Sequence, residues 1–221
     1  MATKIESEIN GLKRKLLEMA AEAEEMVFKS IKALKDKNML LSEEVIKSDK
    51  RVNDMEIEID QYCTRIVALY QPEAEDLRTV LMMMKINSDL ERLGDHAVNI
   101  AEQSNYLADK PSVKPLIDIP RMAEIAITMV RQSLDAFVNK DDELAVEVCK
   151  KDDEVDDLYN QVIRELIVYM AQDPTTIERC LSLIMIGRDL ERVADLATNI
   201  AEDTYYIVRG RILKHHAMDV V

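Results

Sequence analysis

Apolar residues recur every three or four positions over most of the chain, the spacing that places them on one face of an α-helix. In the first segment this apolar stripe consists of Ile5, Ile9, Leu12, Leu16, Met19, Ala23 and Met26. In the second it consists of Val45, Val52, Met55, Ile59, Tyr62 and Ile66. The pattern predicts amphipathic helices whose apolar faces pack on a common core.

Residues that start and end helices divide the chain into six predicted helices. Ser42 is the expected N-cap of the second helix, and Pro72 is expected in the first turn of the third. The segment Asp109–Pro120 contains three of the five prolines, so it is predicted to be a linker. The fourth helix is expected to end near Asn139, the fifth to open at Asp141, and the sixth to start at Asp173 and Pro174.

One phrase occurs twice. Asp89–Glu102 reads DLERLGDHAVNIAE and Asp189–Glu202 reads DLERVADLATNIAE, with ten of fourteen positions identical. A period of about a hundred residues is longer than the roughly 20–50 residues of solenoid repeats. We therefore predict an all-α fold of two tandem three-helix bundles related by internal pseudo-symmetry and packed separately. The predicted boundaries are 1–108 for the first bundle, 109–120 for the linker and 121–221 for the second bundle.

Composition narrows the functional classes. The formal net charge is −14, so the chain would repel a nucleic-acid backbone, and we expect no nucleic-acid partner. The longest apolar run, Leu166–Ala171, is too short to cross a bilayer, so contact with a membrane would be peripheral at most. An odd number of widely spaced cysteines argues against a disulfide framework and favours the reducing cytoplasm. Each cysteine is expected to be a small core residue.

Acidic and amide residues form stripes on the predicted helices. The third helix carries Glu91, Asp95, Asn99 and Glu102, the sixth carries Glu191, Asp195, Asn199 and Glu202, and the second carries Asp49, Asn53, Glu56 and Asp60. On the fifth helix the counterparts are Asp152 and Asp156. A solvated face of an acidic protein is the ordinary explanation for a single such stripe. Because the outward positions are identical in both copies, we favour a functional explanation for the stripes.

Folding each hairpin about its proline turn brings these stripes level on neighbouring helices. Asp49 then lies between Glu91 and Asp95, and Asp152 and Asp156 lie level with Glu191 and Asp195. Carboxylates crowded in this way need a cation. All predicted ligands are oxygens, with no histidine or cysteine on either stripe, which favours magnesium, manganese, calcium or oxidised iron. The sequence thus predicts an exposed metal site, capable of bridging several ions, in each repeat.

The doubled D-L-E-R-x-x-D-x-A-x-N-I-A-E motif, with its acidic partners on the preceding helices, resembles the PhoU family of phosphate-uptake regulators. The resemblance covers nearly the whole chain. It implies a cytoplasmic, often dimeric protein that restrains phosphate uptake and starvation signalling through the ATPase of the Pst importer and a sensor histidine kinase. It also implies metal binding, with a multinuclear iron centre expected and zinc, manganese or magnesium as alternatives.

The two predicted sites differ in composition. Asn53 stands where the second repeat has Asp156, and Glu56 and Asp60 are matched by Tyr159 and Ile163. The alternative function is a metalloenzyme with a carboxylate-bridged metal cluster. An enzyme would need a concave site and a general base near the metal. Outward stripes without a nearby histidine argue for a regulator that is not an enzyme.

Overall fold

The computed structural model describes residues 4–213, so residues 1–3 and 214–221 of the predicted repeats lie outside it. Over the described range the chain is all-α, as predicted, with six long helices and no strand. The helices are α1 (Lys4–Asp36), α2 (Met39–Tyr70), α3 (Ala74–Leu107), α4 (Asp118–Asn139), α5 (Asp142–Gln172) and α6 (Ile177–Arg209). A short 3₁₀ turn, Pro174–Thr176, precedes α6.

The third helix of each repeat lies at the centre of the molecule. Helix α3 packs on α1, α2 and α6, and α6 packs on α3, α4 and α5. The two central helices are antiparallel, because Lys85 pairs with Asp203 whereas His96, further along α3, bonds Asp189. We call this contact the seam. The expectation that the two bundles pack separately was wrong, because through the seam the buried residues of both repeats form one continuous core.

The apolar stripes are buried as predicted. On α3 the inner face consists of Ile86, Leu90, Leu93, Ala97 and Ile100, all without solvent exposure. Gly94 lies on the same helix where α2 comes closest. A Cβ at this position would lie 3.3 Å from Val52 Cγ1, so the absence of a side chain permits the close approach of the two helices.

The predicted start of the second helix was wrong. Helix α2 begins at Met39, where the Asn38 side chain accepts a hydrogen bond from Leu41 N at 3.1 Å. Lys37 takes a left-handed conformation with φ 52°, so the chain turns within two residues. Ser42 consequently lies one turn inside α2, buried, with its Oγ making no hydrogen bond.

The predictions for two other prolines also need correction. Pro72 precedes α3, which begins only at Ala74 after Glu73. Pro120, assigned to the linker, lies in the first turn of α4. A proline is tolerated there because the first N–H groups of a helix have no partner within the helix.

The cysteines are free thiols. Cys63 and Cys180 are buried as predicted, whereas Cys149 is only partly buried. Burial is the main cause that raises the pKa of both Cys63 and Cys149 to about 12, so these thiols stay protonated and unreactive at neutral pH. Within residues 4–213, none of the helices is long and apolar enough to cross a membrane.

The observed cap can be tested by two alanine variants. We expect Asn38→Ala to lower the free energy of unfolding by about 1 kcal/mol, because it removes the side-chain acceptor at the start of α2. Ser42→Ala is the matched control and should be neutral or slightly stabilising, since it removes a buried hydroxyl without a partner. Urea unfolding followed by circular dichroism measures both, and the opposite ranking would contradict the observed cap.

Candidate functional site

Helices α2 and α3 bring the first set of acidic side chains together. Asn53 Nδ2 donates to Asp49 Oδ2 at 2.9 Å, whereas Asp49 Oδ1 and Asn53 Oδ1 are buried and have no hydrogen-bond partner. The charge of Asp49 acts on both Glu91 and Asp95 across the helix pair, and Glu56 acts on Glu91. We call Asp49, Asn53, Glu56, Glu91 and Asp95 the first carboxylate cluster.

Electrostatics in this cluster disfavour negative charge. Partial burial is the largest cause that raises the pKa of Glu91 and of Asp95. The neighbouring carboxylates Asp95, Glu56 and Asp49 raise the pKa of Glu91 further, and Asp49 does the same for Asp95. The cluster therefore holds more negative charge than its surroundings compensate.

Helices α5 and α6 repeat the arrangement. The pKa of Asp152 is raised to about 6, first by burial and then by the charges of Asp195, Asp156 and Glu191. Burial also raises the pKa of Asp156 and of Glu191, and Asp195 adds to both shifts. Asp152, Asp156, Glu191 and Asp195 form the second carboxylate cluster, which agrees with the hairpin pairing predicted from the sequence.

A cation distinguishes the second cluster from the first. Arg192 Nη1 donates to Asp195 Oδ2 at 2.8 Å, and its Nε lies 3.4 Å from Glu191 Oε2, a buried atom without a hydrogen bond. The equivalent Arg92 turns instead to Asp89, with Nη1 3.4 Å from Oδ1. The second cluster is therefore partly neutralised by a bonded cation. Burial and the neighbouring carboxylates raise the pKa of Glu91 in the first cluster, and Arg92 opposes this shift only through its charge, without a bond to Glu91.

Two predicted ligands of the first repeat bond elsewhere. Asp60 lies three turns from Asp49, about 16 Å along the helix, and accepts from Asn87 Nδ2 at 3.5 Å. Asn99 Nδ2 donates to Asp189 Oδ1 across the seam at 3.4 Å. The structure places both residues outside the first cluster.

The remaining predicted ligands lie toward the ends of the stripes. Glu102 is exposed, about 10 Å beyond Asp95 along α3. Asn199 is half-buried, and Glu202 lies close enough to Cys149 to raise the pKa of that thiol. Asp152 of the second cluster acts on the same thiol, so Glu202 lies toward the Asp152 end of that cluster.

The seam contains polar residues that the sequence reasoning missed. Asp89 and Asp189, the first residues of the repeated phrase, are buried between α3 and α6. Burial and then the charge of Asp203 raise the pKa of Asp89 to about 6, and Lys85 pairs with Asp203. The sequence contains a signal for these two residues, because an aspartate occupies this position in both copies of the phrase and lies off the acidic stripes.

The expectation that no histidine lies near the stripes was wrong. His96 Nδ1 lies 2.9 Å from Asp189 Oδ1, and the ring is close enough to Asp95 and to Glu191 of the other repeat that its protonated form lowers the pKa of both carboxyls. Helical phase places His96 off the stripe of its own helix. It reaches the second repeat only because α6 packs alongside, which a single helical wheel does not show.

Among the described residues, no group of three or more His, Cys, Asp or Glu side chains is arranged to hold a metal ion. Like charges lower their energy by separating, so carboxylates without a cation between them are expected to turn apart. The clusters supply oxygen ligands on adjacent helices, and enclosing an ion would require their side chains to rotate inward.

Comparison with known proteins adds a family relationship. The family model described as PhoU domain matches residues 16–104 and 119–204. A phosphate-specific transport system accessory protein PhoU homolog of Aquifex aeolicus is 44% identical over 212 residues, covering 96% of each chain. The Escherichia coli accessory protein PhoU is 32% identical, covering 95% of this chain and 87% of its own. The crystal structure of PhoU from Pseudomonas aeruginosa superposes with a TM-score of 0.91 at 36% identity, covering 94% of this chain and all of that one.

The raised pKa of Asp152 predicts a pH dependence of the metal-free protein. An acid whose folded pKa of about 6 exceeds its ordinary value of 3.8 binds protons preferentially in the folded state. Stability should therefore rise as the pH falls from about 6 toward 4. Asp152→Asn removes this contribution, so its melting temperature should be higher than wild type at pH 7 and change less between pH 7 and 5.

Melting curves in chelator across this range provide the measurement. Asp153→Asn, which removes an exposed carboxylate beside the cluster, is the control and should keep most of the wild-type slope. A wild-type protein whose melting temperature fell steadily below pH 6 would contradict the raised pKa.

Proposed function

The chain belongs to the PhoU family, and we propose that it is a metal-binding regulator of phosphate uptake that carries out no catalysis. The observation that carries the metal proposal is the pair of carboxylate clusters, each formed by two adjacent helices and short of positive charge. The two proposals have separate tests, because metal can be measured on the purified chain whereas regulation requires cells.

Several features of the clusters fit a bound cation. Asp49 Oδ1, Asn53 Oδ1 and Glu191 Oε2 are buried oxygens without a hydrogen-bond donor, and such atoms are costly unless something pairs with them. Asp49, Glu91 and Asp95 would hold metal in the first repeat. Asp152, Asp156, Glu191 and Asp195 would do so in the second. The bound ion would supply positive charge and link the two helices of each hairpin.

The ligand chemistry favours hard cations. Carboxylate and amide oxygens suit oxidised iron, manganese and magnesium better than they suit a structural zinc. We propose iron, with more than one ion in each cluster, because carboxylates one turn apart lie about 6 Å from one another and can bridge neighbouring ions. The Asn53 amide and the Arg192 guanidinium make the clusters unequal, so we expect different affinities in the two repeats.

The cellular role is proposed from the relatives. The relatives of this chain from Aquifex aeolicus and Escherichia coli are named accessory proteins of the phosphate-specific transport system. We propose that this chain acts in the cytoplasm, as a homodimer, and that it restrains uptake by contacting the Pst importer ATPase and a sensor histidine kinase. The metalloenzyme alternative receives less support, because the cavities found at the linker, between α1 and α4 and beside Asp203 are lined by residues outside both clusters.

Metal binding predicts a characteristic change in stability. Replacing Glu91 and Asp95 with Gln and Asn should slightly stabilise the chelated protein, by some tenths of a kcal/mol, because mutual repulsion is relieved. With iron or manganese present the ranking should reverse, since a ligand that binds only the folded state adds stability as its concentration exceeds Kd. Elemental analysis and melting curves with and without chelator measure both effects.

The second repeat provides the matched variant. Glu191→Gln with Asp195→Asn should lose the metal of α5 and α6 while keeping that of α2 and α3. If wild type carried no metal and bound none on titration with iron, manganese, zinc or magnesium, the metal proposal would be wrong. A variant that unfolds even in chelator would show that these carboxylates support the fold instead.

Regulation of uptake is tested by deleting the gene in its own host. We expect phosphate uptake in phosphate-rich medium to rise in the deletion strain and to return to the original rate when the wild-type chain is supplied. The Glu91 and Asp95 double variant, expressed at equal level, should restore regulation incompletely. Unchanged uptake after deletion would contradict the regulatory role without bearing on metal binding.

A further inference from the structure

The charged side chains that line two cavities beside the linker have a sign opposite to the net charge of the whole chain. The formal net charge is −14, yet two adjoining cavities beside the linker have only basic residues among their charged lining residues. Lys37, Lys110, Lys114 and Arg179 line the inner cavity, and Lys35 joins Lys114 in the outer one. We call the two cavities together the linker hollow.

Three of these cations are held by backbone carbonyls. Lys37 Nζ donates to Lys110 O, and Arg179 Nη1 donates to Pro111 O at 2.8 Å. Lys110 Nζ donates to Tyr106 O at 3.2 Å, and its closest carboxylate oxygen, on the exposed Asp109, is 3.9 Å away. Lys110 Nζ also lies 3.5 Å from the centroid of the Tyr106 ring, and hydrogen bonds from Thr175, then the charge of Arg179, lower the pKa of Asp173. The carbonyls therefore fix these positive charges in place, and the carboxylates near Lys110 and Arg179 compensate them only weakly.

The fourth cation is different. Lys114 is nearly buried and pairs with Asp118 at 2.9 Å and with Glu165. Its charge is therefore compensated at close range, whereas Lys110 and Arg179 have only weaker compensation from exposed carboxylates and Lys37 bonds a carbonyl. A ligand would be bound mainly by these three.

Lys37 and Arg179 have N–H donors beyond those that bond the carbonyl oxygens. An ammonium has three N–H groups and a guanidinium has five, in a planar fork that matches phosphate oxygens. Lys37 uses one donor, and Arg179 uses one toward Pro111 and another toward Thr175 O. An anion in the hollow could thus accept hydrogen bonds without breaking those that hold the linker.

The volumes of the two cavities limit the size of the ligand. The inner cavity has a volume of about 40 Å³, enough for a small oxyanion, whereas the outer one has about 510 Å³ and is open to solvent. We propose that the linker hollow binds a phosphate group, with its oxygens near Lys37, Lys110 and Arg179. The group can be free orthophosphate, or it can belong to a larger molecule that extends into the outer cavity.

This site is separate from the carboxylate clusters. Leu107, which lines the inner cavity, lies twelve residues beyond Asp95 on α3, or about 18 Å along the helix. The proposal therefore does not depend on metal binding. The competing explanation is that Lys37 and Arg179 only fasten the linker, which predicts no anion affinity.

Isothermal titration of the full chain with sodium orthophosphate tests the proposal, at constant ionic strength and with sulfate and chloride as reference anions. We expect saturable binding of one phosphate per chain. Lys37→Gln combined with Lys110→Gln should weaken it about tenfold or more, the effect of losing charge-assisted hydrogen bonds. Lys47→Gln with Lys50→Gln removes the same charge from an exposed face of α2 and should leave the affinity unchanged.

Two further experiments identify the source of the phosphate and test whether binding depends on metal in the carboxylate clusters. The titration is repeated after chelation, and sedimentation with phosphatidylglycerol vesicles tests a lipid headgroup. Vesicle binding with the same dependence on Lys37 and Lys110 supports the site and assigns its phosphate to lipid. Loss of orthophosphate binding on chelation overturns the proposal, since the anion would then be held through metal.

Absence of saturable binding to either probe, or equal affinity in both double variants, also overturns the proposal. Circular dichroism confirms that each variant folds. Arg179→Lys serves as an independent variant if the double substitution does not fold. It keeps the charge but loses the planar fork, so binding should weaken while the helical content stays unchanged.

Discussion

The antiparallel packing of α3 against α6 is the contact that determines the rest of the architecture. Each of these helices touches its own two repeat partners and the other central helix, so each is covered on three sides. That burial explains why Leu90, Leu93 and their counterparts Leu190 and Val193 have no exposure. It also leaves only a narrow part of each central helix open to solvent, and Glu91 and Glu191 lie at the edge of it, half-buried.

Each copy of the repeated phrase therefore places two acidic residues of the same helix turn in different environments, one in the seam and one at the contact with the hairpin partner. Asp89 and Asp189 enter the seam, whereas Glu91 and Glu191, two residues later, turn toward the hairpin partner. The seam is only approximately symmetric. Asp189 meets His96 and Asn99, whereas Asp89 lies near Asp203, whose counterpart in the first repeat is Gln103. Sequence divergence between the repeats is thus visible in the seam as well as in the clusters.

Helical periodicity predicted the burial of one face on each helix and, through hairpin geometry, the pairing of Asp49 with Glu91 and Asp95. It could not predict which helix covers the remaining faces, because that depends on how the repeats pack. The seam residues and His96 were missed for this reason. Ser42 was chosen as a cap for its residue type, but the two-residue turn at Lys37 and Asn38 starts the helix earlier. Asn38 and Ser42 are both residue types that cap helices, and propensity alone does not decide which of the two does so.

The distribution of charge follows from the same packing. Burial raises the pKa of Asp152 and Asp89 alike, but only Asp89 has cations, Arg92 and Lys85, among the neighbours that lower its pKa. The seam thus contains its own counter-charges, both of them on α3, and needs no ion. In the first cluster the cationic neighbours of Glu91 and Asp95 are Arg92 and His96, and each is already bonded to an aspartate of the seam. Both side chains are thus directed toward the seam, His96 to Asp189 on α6 and Arg92 to Asp89 on its own helix, and this leaves the acceptors of the cluster open to a cation from outside the chain.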